Sequence, residues 1–525
     1  MRAIPDRWWR LLVRFGLVVL LSGCATLRTD VAKVPSHAVP PDPETPLGQL
    51  ADALVAAPEA SAFRLLESGG VALAARLAMI EQAHRSLDLQ YYIFHADASG
   101  KLLTEALLRA ADRGVRVRIL LDDMYTAENE PAIVGLDHHA NIEIRLYNPF
   151  HVRGNNPLGR LVQWLTDDGR VNRRMHNKLF LADNQLGITG GRNIGDEYFQ
   201  LEDPRAFLDL DVLAAGEVVR DMSAAFDRYW NAEYSVPARA LPKPAPREVL
   251  LAETRERVRQ YRHSVQDAFA DYLCQDILSL EPGAGFGPWT PGRAEVLLDS
   301  PGKTEQAARA AELPAMRLLN LGLDARRELL IASPYFVPGK MGVDLLRHLH
   351  GRGVAVGVLT NSLAANDVAL VHAGYARYRV PMLLAGIRLH ELKPLSQAPA
   401  VRLGLGSGSS RASLHSKALV FDRKTVYIGS MNLDPRSVLL NTEAGLVIRS
   451  DALAGQVADF IERAMAPERS YRVRLNPDSD MRVDALRWHE TVNGREVIHD
   501  REPRTGGWAR LLIDIMSGLP IESQL

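Results

Sequence analysis

Two short stretches of the chain carry the same reactive side chains at the same spacing. His176, Lys178 and Asp183 stand in "RMHNKLFLADNQLGITGGRN", and His415, Lys417 and Asp422 in "SLHSKALVFDRKTVYIGSMN"; the stretches end at Asn193 and Asn432. Alternate residues of an extended strand share a face, so the imidazole and the ammonium of each stretch point together. The small residues before each asparagine let backbone approach a ligand closely, and the amide adds a donor. Two such half-sites brought face to face hold two imidazoles, two ammonium groups and two amides. That inventory suits a phosphoryl group: cations for its non-bridging oxygens, one imidazole to attack phosphorus and one to protonate the leaving oxygen. H-x-K-x4-D should arise by chance in a chain this long on the order of a few hundredths of a time, so a double occurrence marks a repeated site. A lysine inside each motif would repel a dication, and H-x3-H pairs and cysteine clusters are missing from the sequence, so no metal is expected.

The elements that position these residues are duplicated too. "RGVRVRILLDD" from Arg113 and "RGVAVGVLTNS" from Arg352 are offset by 239 residues, as are the two histidines, the two aspartates and the two asparagines. Each copy reads as a strand, a helix ended by glycine, and a second strand beginning at Arg-Gly-Val. That order predicts an α/β fold of two homologous α/β/α halves with mixed, largely parallel sheets and the active site at the interface between halves. The first half is expected over 58–235 and the second over 293–475. A connector with a charged helix near 254–280 fills 236–292, and a less regular tail over 476–525 ends in a docked helix.

At 525 residues, 47% hydrophobic and 24% charged, the chain has the balance of a globular protein with sizeable cores. A net charge of −1 gives no global field for nucleic acid or an anionic membrane, so any anion site must be local. Residues 1–23 have the basic and apolar regions of an export signal, closing on Leu21-Ser22-Gly23-Cys24. The tetrapeptide resembles the lipobox of bacterial lipoproteins, which implies lipidation of Cys24. The other reading, an uncleaved anchor helix, needs an apolar run nearer to roughly 20 residues. Ala25 after the cysteine resembles the sorting pattern for the outer membrane. The proline-rich stretch within 25–57 is expected to be a loose tether, and Cys274, the other cysteine, a buried apolar side chain.

The paired motifs resemble the phospholipase D superfamily with both halves in one chain. "LDLQYYIFHADASGKLL", "RLYNPF", "NIGDEYF", "DLDV" and the terminal "LPIESQL" resemble the bacterial cardiolipin synthase C group, from about residue 60 to the end. The resemblance implies a phosphohistidine intermediate without a cofactor. We assign His176 as nucleophile and His415 as acid/base, although the symmetry of the motifs says little about which is which. Lys178, Asn193, Lys417, Ser430 and Asn432 would hold phosphoryl oxygens. Asp183 and Asp422 belong to the catalytic motifs, with bracing of strands and turns the role that suits them better. The carboxylates that orient the imidazoles are expected in the same half: Asp209 for His176, with Asp211 a close rival, and Glu443 for His415. Gly191 stands where the family has serine.

The expected activity is a phosphatidyl transfer forming cardiolipin from phosphatidylglycerol and a second phospholipid; phospholipase D hydrolysis to phosphatidic acid is the alternative. Phosphodiester cleavage of nucleic acid and a non-catalytic lipid-binding scaffold rank below these. Partners are phospholipid substrates and the membrane, reached by a lipid anchor in the bacterial envelope facing the periplasm. Arg173 and Arg174 could meet headgroups or be solvated. Trp164, Trp508 and nearby apolar residues suit either the bilayer or the core.

Overall fold

A computed structural model describes residues 27–518 apart from 29, 56, 58–59, 154–156, 168, 200–206, 266–279, 281–286, 305–312, 367, 395–413 and 480–484. The export signal, Cys24, Cys274 and the terminal residues 519–525 lie outside the described residues. The first half contains β1 (Ser61–Leu66), β2 (Ser86–Tyr91), β3 (Arg116–Asp122), β4 (Ile142–Tyr147), β5 (Leu179–Ala182), β6 (Leu186–Gly190), β7 (Asp211–Gly216) and β8 (Ser235–Pro237). They pair in the order β8-β4-β3-β2-β5-β6-β7-β1. Around them lie α1 (Gly69–Gln82), α2 (Ala98–Asp112), α3 (Glu130–Leu136), α4 (Pro157–Thr166), α5 (Glu217–Trp230) and α6 (Arg247–Val265).

The second half repeats the plan with β9 (Thr290–Leu298), β10 (Glu328–Ala332), β11 (Ala355–Asn361), β12 (Arg388–Leu392), β13 (Ala418–Phe421), β14 (Thr425–Gly429), β15 (Ala444–Arg449) and β16 (Ser470–Leu475). Its order is β9-β15-β14-β13-β10-β11-β12-β16. Helices α7 (Gly339–Gly351), α8 (Ala369–Ala376), α9 (Asp451–Met465) and α10 (Gly507–Ser517) accompany it. Local signals set the helix ends: Asp97 caps α2 by accepting from Gly100 N, and Gly114 and Gly353, just past α2 and α7, take φ of +96° and +86° as helix-ending glycines do.

The α/β architecture in two repeats is as expected, and the sheets are mixed, but parallel pairing is confined to β2-β3-β4 and β10-β11-β12. The other pairings between the named strands are antiparallel. Left-handed residues at Asp183–Asn184 and Asp422–Arg423 turn the motif strands directly back as hairpins β5-β6 and β13-β14.

β9 pairs with both β1 and β15 and joins the sheets at their edges. Their faces share one buried core, in which Phe63, Val212 and Phe226 meet Val420, Ile428 and Ile461.

Two expectations for the ends of the chain are corrected. The proline-rich segment, from Leu27 to the helix at Pro46–Leu54, is strapped along the first half instead of hanging loose. Ala38 N donates to Asp227 Oδ2 (2.8 Å), Trp230 Nε1 to Ser36 Oγ (2.8 Å) and Lys33 Nζ to the Ala232 carbonyl (2.6 Å). The buried guanidiniums of Arg118 and Arg145, on β3 and β4, take the carbonyls of Ser36 and Val34 as acceptors. Buried donors need partners, and the strap supplies them. The tail is also more regular than expected: β17 (Leu486–Val492) and β18 (Arg495–His499) extend the second sheet beyond β16, turning at Asn493-Gly494. As expected, α10 docks, with Ile513 buried against Leu363 and Ala373. Among the described residues no helix is long and apolar enough to cross a membrane.

Candidate active site

His176 and Lys178 stand just before β5, and His415 and Lys417 just before β13. Leu179 pairs with Gln90 near the end of β2, and Ala418 with Ala332 at the end of β10. Both motifs therefore sit at the carboxyl edge of the parallel strands, where α/β folds place ligands.

Two backbone bridges across the seam bring the motifs together. His176 N donates to the Thr442 carbonyl (2.9 Å), and Thr442 N donates to that of Arg174 (2.9 Å). On the other side, His415 N donates to the Leu208 carbonyl (2.9 Å). Each histidine is thereby docked against the residue that precedes a carboxylate of the opposite half. His176 Nδ1 lies 2.9 Å from Glu443 Oε2, and His415 Nδ1 lies 2.6 Å from Asp209 Oδ2. Both orienting carboxylates are the expected ones, but their partners are exchanged: the pairs cross the interface instead of staying within a half. The crossing fixes both imidazoles with Nδ1 toward a carboxylate, leaving Nε2 as the reactive nitrogen.

Lys178 Nζ donates to the His176 carbonyl (2.8 Å) and Lys417 Nζ to that of His415 (2.5 Å), so each ammonium is tied beside its own imidazole. Burial pushes the imidazoles down to about 4 at His176 and about 3 at His415, helped in each case by both lysines. The carboxylates offset this only in part. Burial likewise lowers the Lys178 ammonium to about 7. Glu443 and Asp209 remain below the usual carboxylate range although burial opposes ionisation, because the imidazoles and lysines beside them favour the anion. The cluster thus holds two lysines, two neutral imidazoles and two carboxylates out of water.

The remaining expected residues divide. Asn432 is buried and its Oδ1 lacks a hydrogen-bond partner among the described residues, whereas Asn193 accepts from Ile93 N (3.2 Å) and donates to Tyr198 Oη (2.9 Å). Ser430, expected to hold phosphate, instead donates to Glu443 Oε2 and accepts from Ala444 N, steadying the carboxylate that orients His176. Gly191 has a steric reason: a Cβ there would lie 2.1 Å from Asp209 Oδ1.

Asp183 and Asp422 belong to the framework. Asp183 accepts from the backbone N–H groups of His84, Arg85 and Ser86, and Asp422 from those of Arg326, Arg327 and Glu328. Each fixes the entry to a parallel strand at the edge away from the histidines, so the structure assigns them bracing rather than catalysis. Asp211, the rival orienter, is 2.9 Å from Arg76 in a buried ion pair. Arg174 is buried on Asp122, which also accepts from Met175 N (2.8 Å); it positions the first motif and meets no headgroup.

Sequence reasoning missed the aromatic walls. Tyr92 meets the His176 ring edge-on at 5.1 Å, and Tyr198 and Phe207 lie 5.1 and 5.2 Å from that of His415. It also missed Asp299, whose carboxylate accepts from Glu443 N (3.0 Å) and lies 2.8 Å from Lys303. The "YYIF" run at the end of β2 and "EYF" just after the first motif were the available signal for Tyr92 and Tyr198; Phe207 and Asp299 had none. Tyr92 and Tyr125 also border a small apolar cavity of about 80 Å³ reaching Leu107, Ile133 and Val258.

The family model described as "Cardiolipin synthase, PLD-like domain" matches residues 77–230 and 320–465. The chain is 42% identical over 468 residues to cardiolipin synthase C of Escherichia coli (strain K12), covering 87% of this chain and 94% of that one. It is 26% identical over 427 residues to cardiolipin synthase B of Salmonella typhi, covering 79% and 85%. A crystal structure of phosphatidylserine synthase from Haemophilus influenzae Rd KW20 superposes with a TM-score of 0.53 at 14% identity, over 78% of this chain and 87% of that one, a likeness of fold.

Proposed function

The chain belongs to the phospholipase D-like cardiolipin synthase family, and on that premise we propose that this phosphatidyltransferase makes cardiolipin from phosphatidylglycerol and a second phospholipid through a phosphohistidine. The observation that carries the reading is the pair of crossed imidazole–carboxylate contacts with a lysine tied beside each imidazole.

A phosphodiester anion enters between the motifs, and Lys178, Lys417 and the side-chain N–H of Asn432 donate to its non-bridging oxygens. Its charge raises both depressed imidazoles, allowing one to be protonated at neutral pH. His176 Nε2 attacks phosphorus while its Nδ1 proton faces Glu443; the bond to the oxygen of the donor's departing headgroup alcohol breaks, and that oxygen takes the proton from His415 Nε2. In the second step His415 removes a proton from the hydroxyl of the acceptor phospholipid, whose oxygen attacks the phosphorus and frees His176. One phosphodiester is exchanged for another, so no external energy source is needed.

Lipidation of Cys24 would keep the enzyme at its substrate surface in the bacterial envelope, facing the periplasm, where phosphodiester exchange suits the lack of ATP.

Vesicles with labelled phosphatidylglycerol and phosphatidylethanolamine, read by lipid mass spectrometry, test the reading. Labelled cardiolipin is expected from the wild type and not from His176→Ala or His415→Ala. Accumulation of phosphatidic acid instead would make water the acceptor and the protein a phospholipase D.

A further inference from the structure

Helix α4 is amphipathic in the reverse sense. Leu161, Val162, Trp164 and Leu165 are 52%, 51%, 45% and 67% exposed, while Gln163 between them is buried. The Gln163 amide oxygen accepts from His151 N (3.0 Å) and Val152 N (3.2 Å), and its Nε2 donates to Asp167 Oδ2 (3.0 Å). A polar side chain thus pins the helix to the protein and the apolar side chains look outward, opposite to the arrangement that holds a helix on a core in water. Helix α10 shows a second such face: Ile513 is buried on the second half, while Trp508, Leu511 and Ile515 are 79%, 48% and 56% exposed.

Both helices belong to the same edge of the molecule. α4 lies in the loop that leaves the carboxyl end of β4, and α10 packs on Leu363, two residues beyond the carboxyl end of β11. That is the edge at which His176 and His415 stand. The first described residue lies there too: Leu27 N donates to the His151 carbonyl (3.1 Å), at the root of α4. Leu27 follows Cys24 by three chain steps, a reach of at most about 11 Å.

From these placements we propose that α4 and α10 form a membrane-docking face whose apolar side chains enter the headgroup region of a phospholipid bilayer, holding the mouth of the site against the lipid surface. The occupant is a bilayer because the outward faces flank the site from both halves and the proposed acylation site reaches the bilayer beside α4. Tryptophan at the margin of such a face suits the interface, where one side of the ring is apolar and the other wet. The inference rests on the reading that the substrates are phospholipids.

The test uses the full chain in vesicles of phosphatidylglycerol and phosphatidylethanolamine with bromine-labelled acyl chains. Tryptophan quenching is expected in the wild type, with a component lost in Trp164→Phe; equal quenching in both proteins overturns the proposal. In the double variant Leu161→Ser, Leu165→Ser, whose sites are exposed, an unchanged melting temperature reports an intact fold. Its phosphatidyl transfer in vesicles should fall about tenfold or more, with less than about a twofold change on dihexanoyl phosphatidylglycerol below its critical micelle concentration. Equal activity on vesicles, or a wild-type dimer in solution that this variant abolishes, assigns the face to something other than lipid. A wild type that transfers nothing on either substrate defeats the functional reading, and quenching alone then still decides the docking face.

Discussion

Glu443, from the second half, lies 2.9 Å from Nδ1 of His176 in the first. With Asp209 contacting His415 in the opposite direction, neither half contains a complete imidazole–carboxylate pair. The crossing makes Glu443→Gln a probe of the first motif. An amide holds the ring with a weaker charge and in the wrong tautomer, and kcat should drop between about 100- and 10,000-fold with KM changed far less. Rapid-quench detection of the phosphoenzyme should show its formation at residue 176 slowed; unchanged phosphorylation of His176 would reject the crossed assignment.

Adding the family's serine to the first motif should damage the enzyme. In Gly191→Ser the new Cβ would sit 2.1 Å from Asp209 Oδ1 and displace the carboxylate from His415. Turnover should fall about 100-fold or more, as expected when a base loses its orienting partner. Steady-state kinetics on labelled phosphatidylglycerol, with a thermal melt as control, give the answer.

Asp183→Asn and Asp422→Asn should separate bracing from catalysis. Each carboxylate collects three backbone N–H groups, and an amide oxygen satisfies fewer of them, so unfolding in urea should be easier by about 2–4 kcal/mol. Activity per folded molecule should stay within a few-fold of wild type. A stable variant without activity would restore these residues to the catalytic group.

The depressed imidazoles give a signed pH dependence. In the unfolded chain they take up protons near 6.5; in the folded one His176 does so only at about 4 and His415 at about 3. Between those values the unfolded state binds more protons, so stability is greatest above about 6.5 and declines as pH falls toward 4. The melting temperature of His415→Asn should fall less steeply over that range than that of the wild type. Binding of a short-chain phosphodiester at pH 7 should also take up a proton, visible in calorimetry as a heat that varies with the ionisation enthalpy of the buffer.

The duplication was legible because one offset of 239 residues ran through four landmarks, and strand alternation placed each lysine beside its histidine. The crossing was not, because nothing within a half tells the Asp209 segment to bridge to Leu414 rather than return to its own strand. The strap escaped because a proline-rich stretch has no periodicity; its trace lay in Arg118 of "RVRILL" and Arg145 of "EIRLY", which bury where apolar residues belong and demand acceptors. The tail hairpin did leave a signal, since Asn493-Gly494 between alternating residues is a turn of that kind.

The unequal carboxylate pockets, glycine with aspartate on one side and serine with glutamate on the other, bear on how the site came to be. Two identical subunits meeting across a two-fold axis would be bound to one solution used twice, since any change in one copy appears in the other. Joined in a single polypeptide, the copies can diverge, and donation and withdrawal of the proton become inherited separately. Because each half holds the carboxylate that contacts the other's imidazole, neither half on its own carries a complete pair.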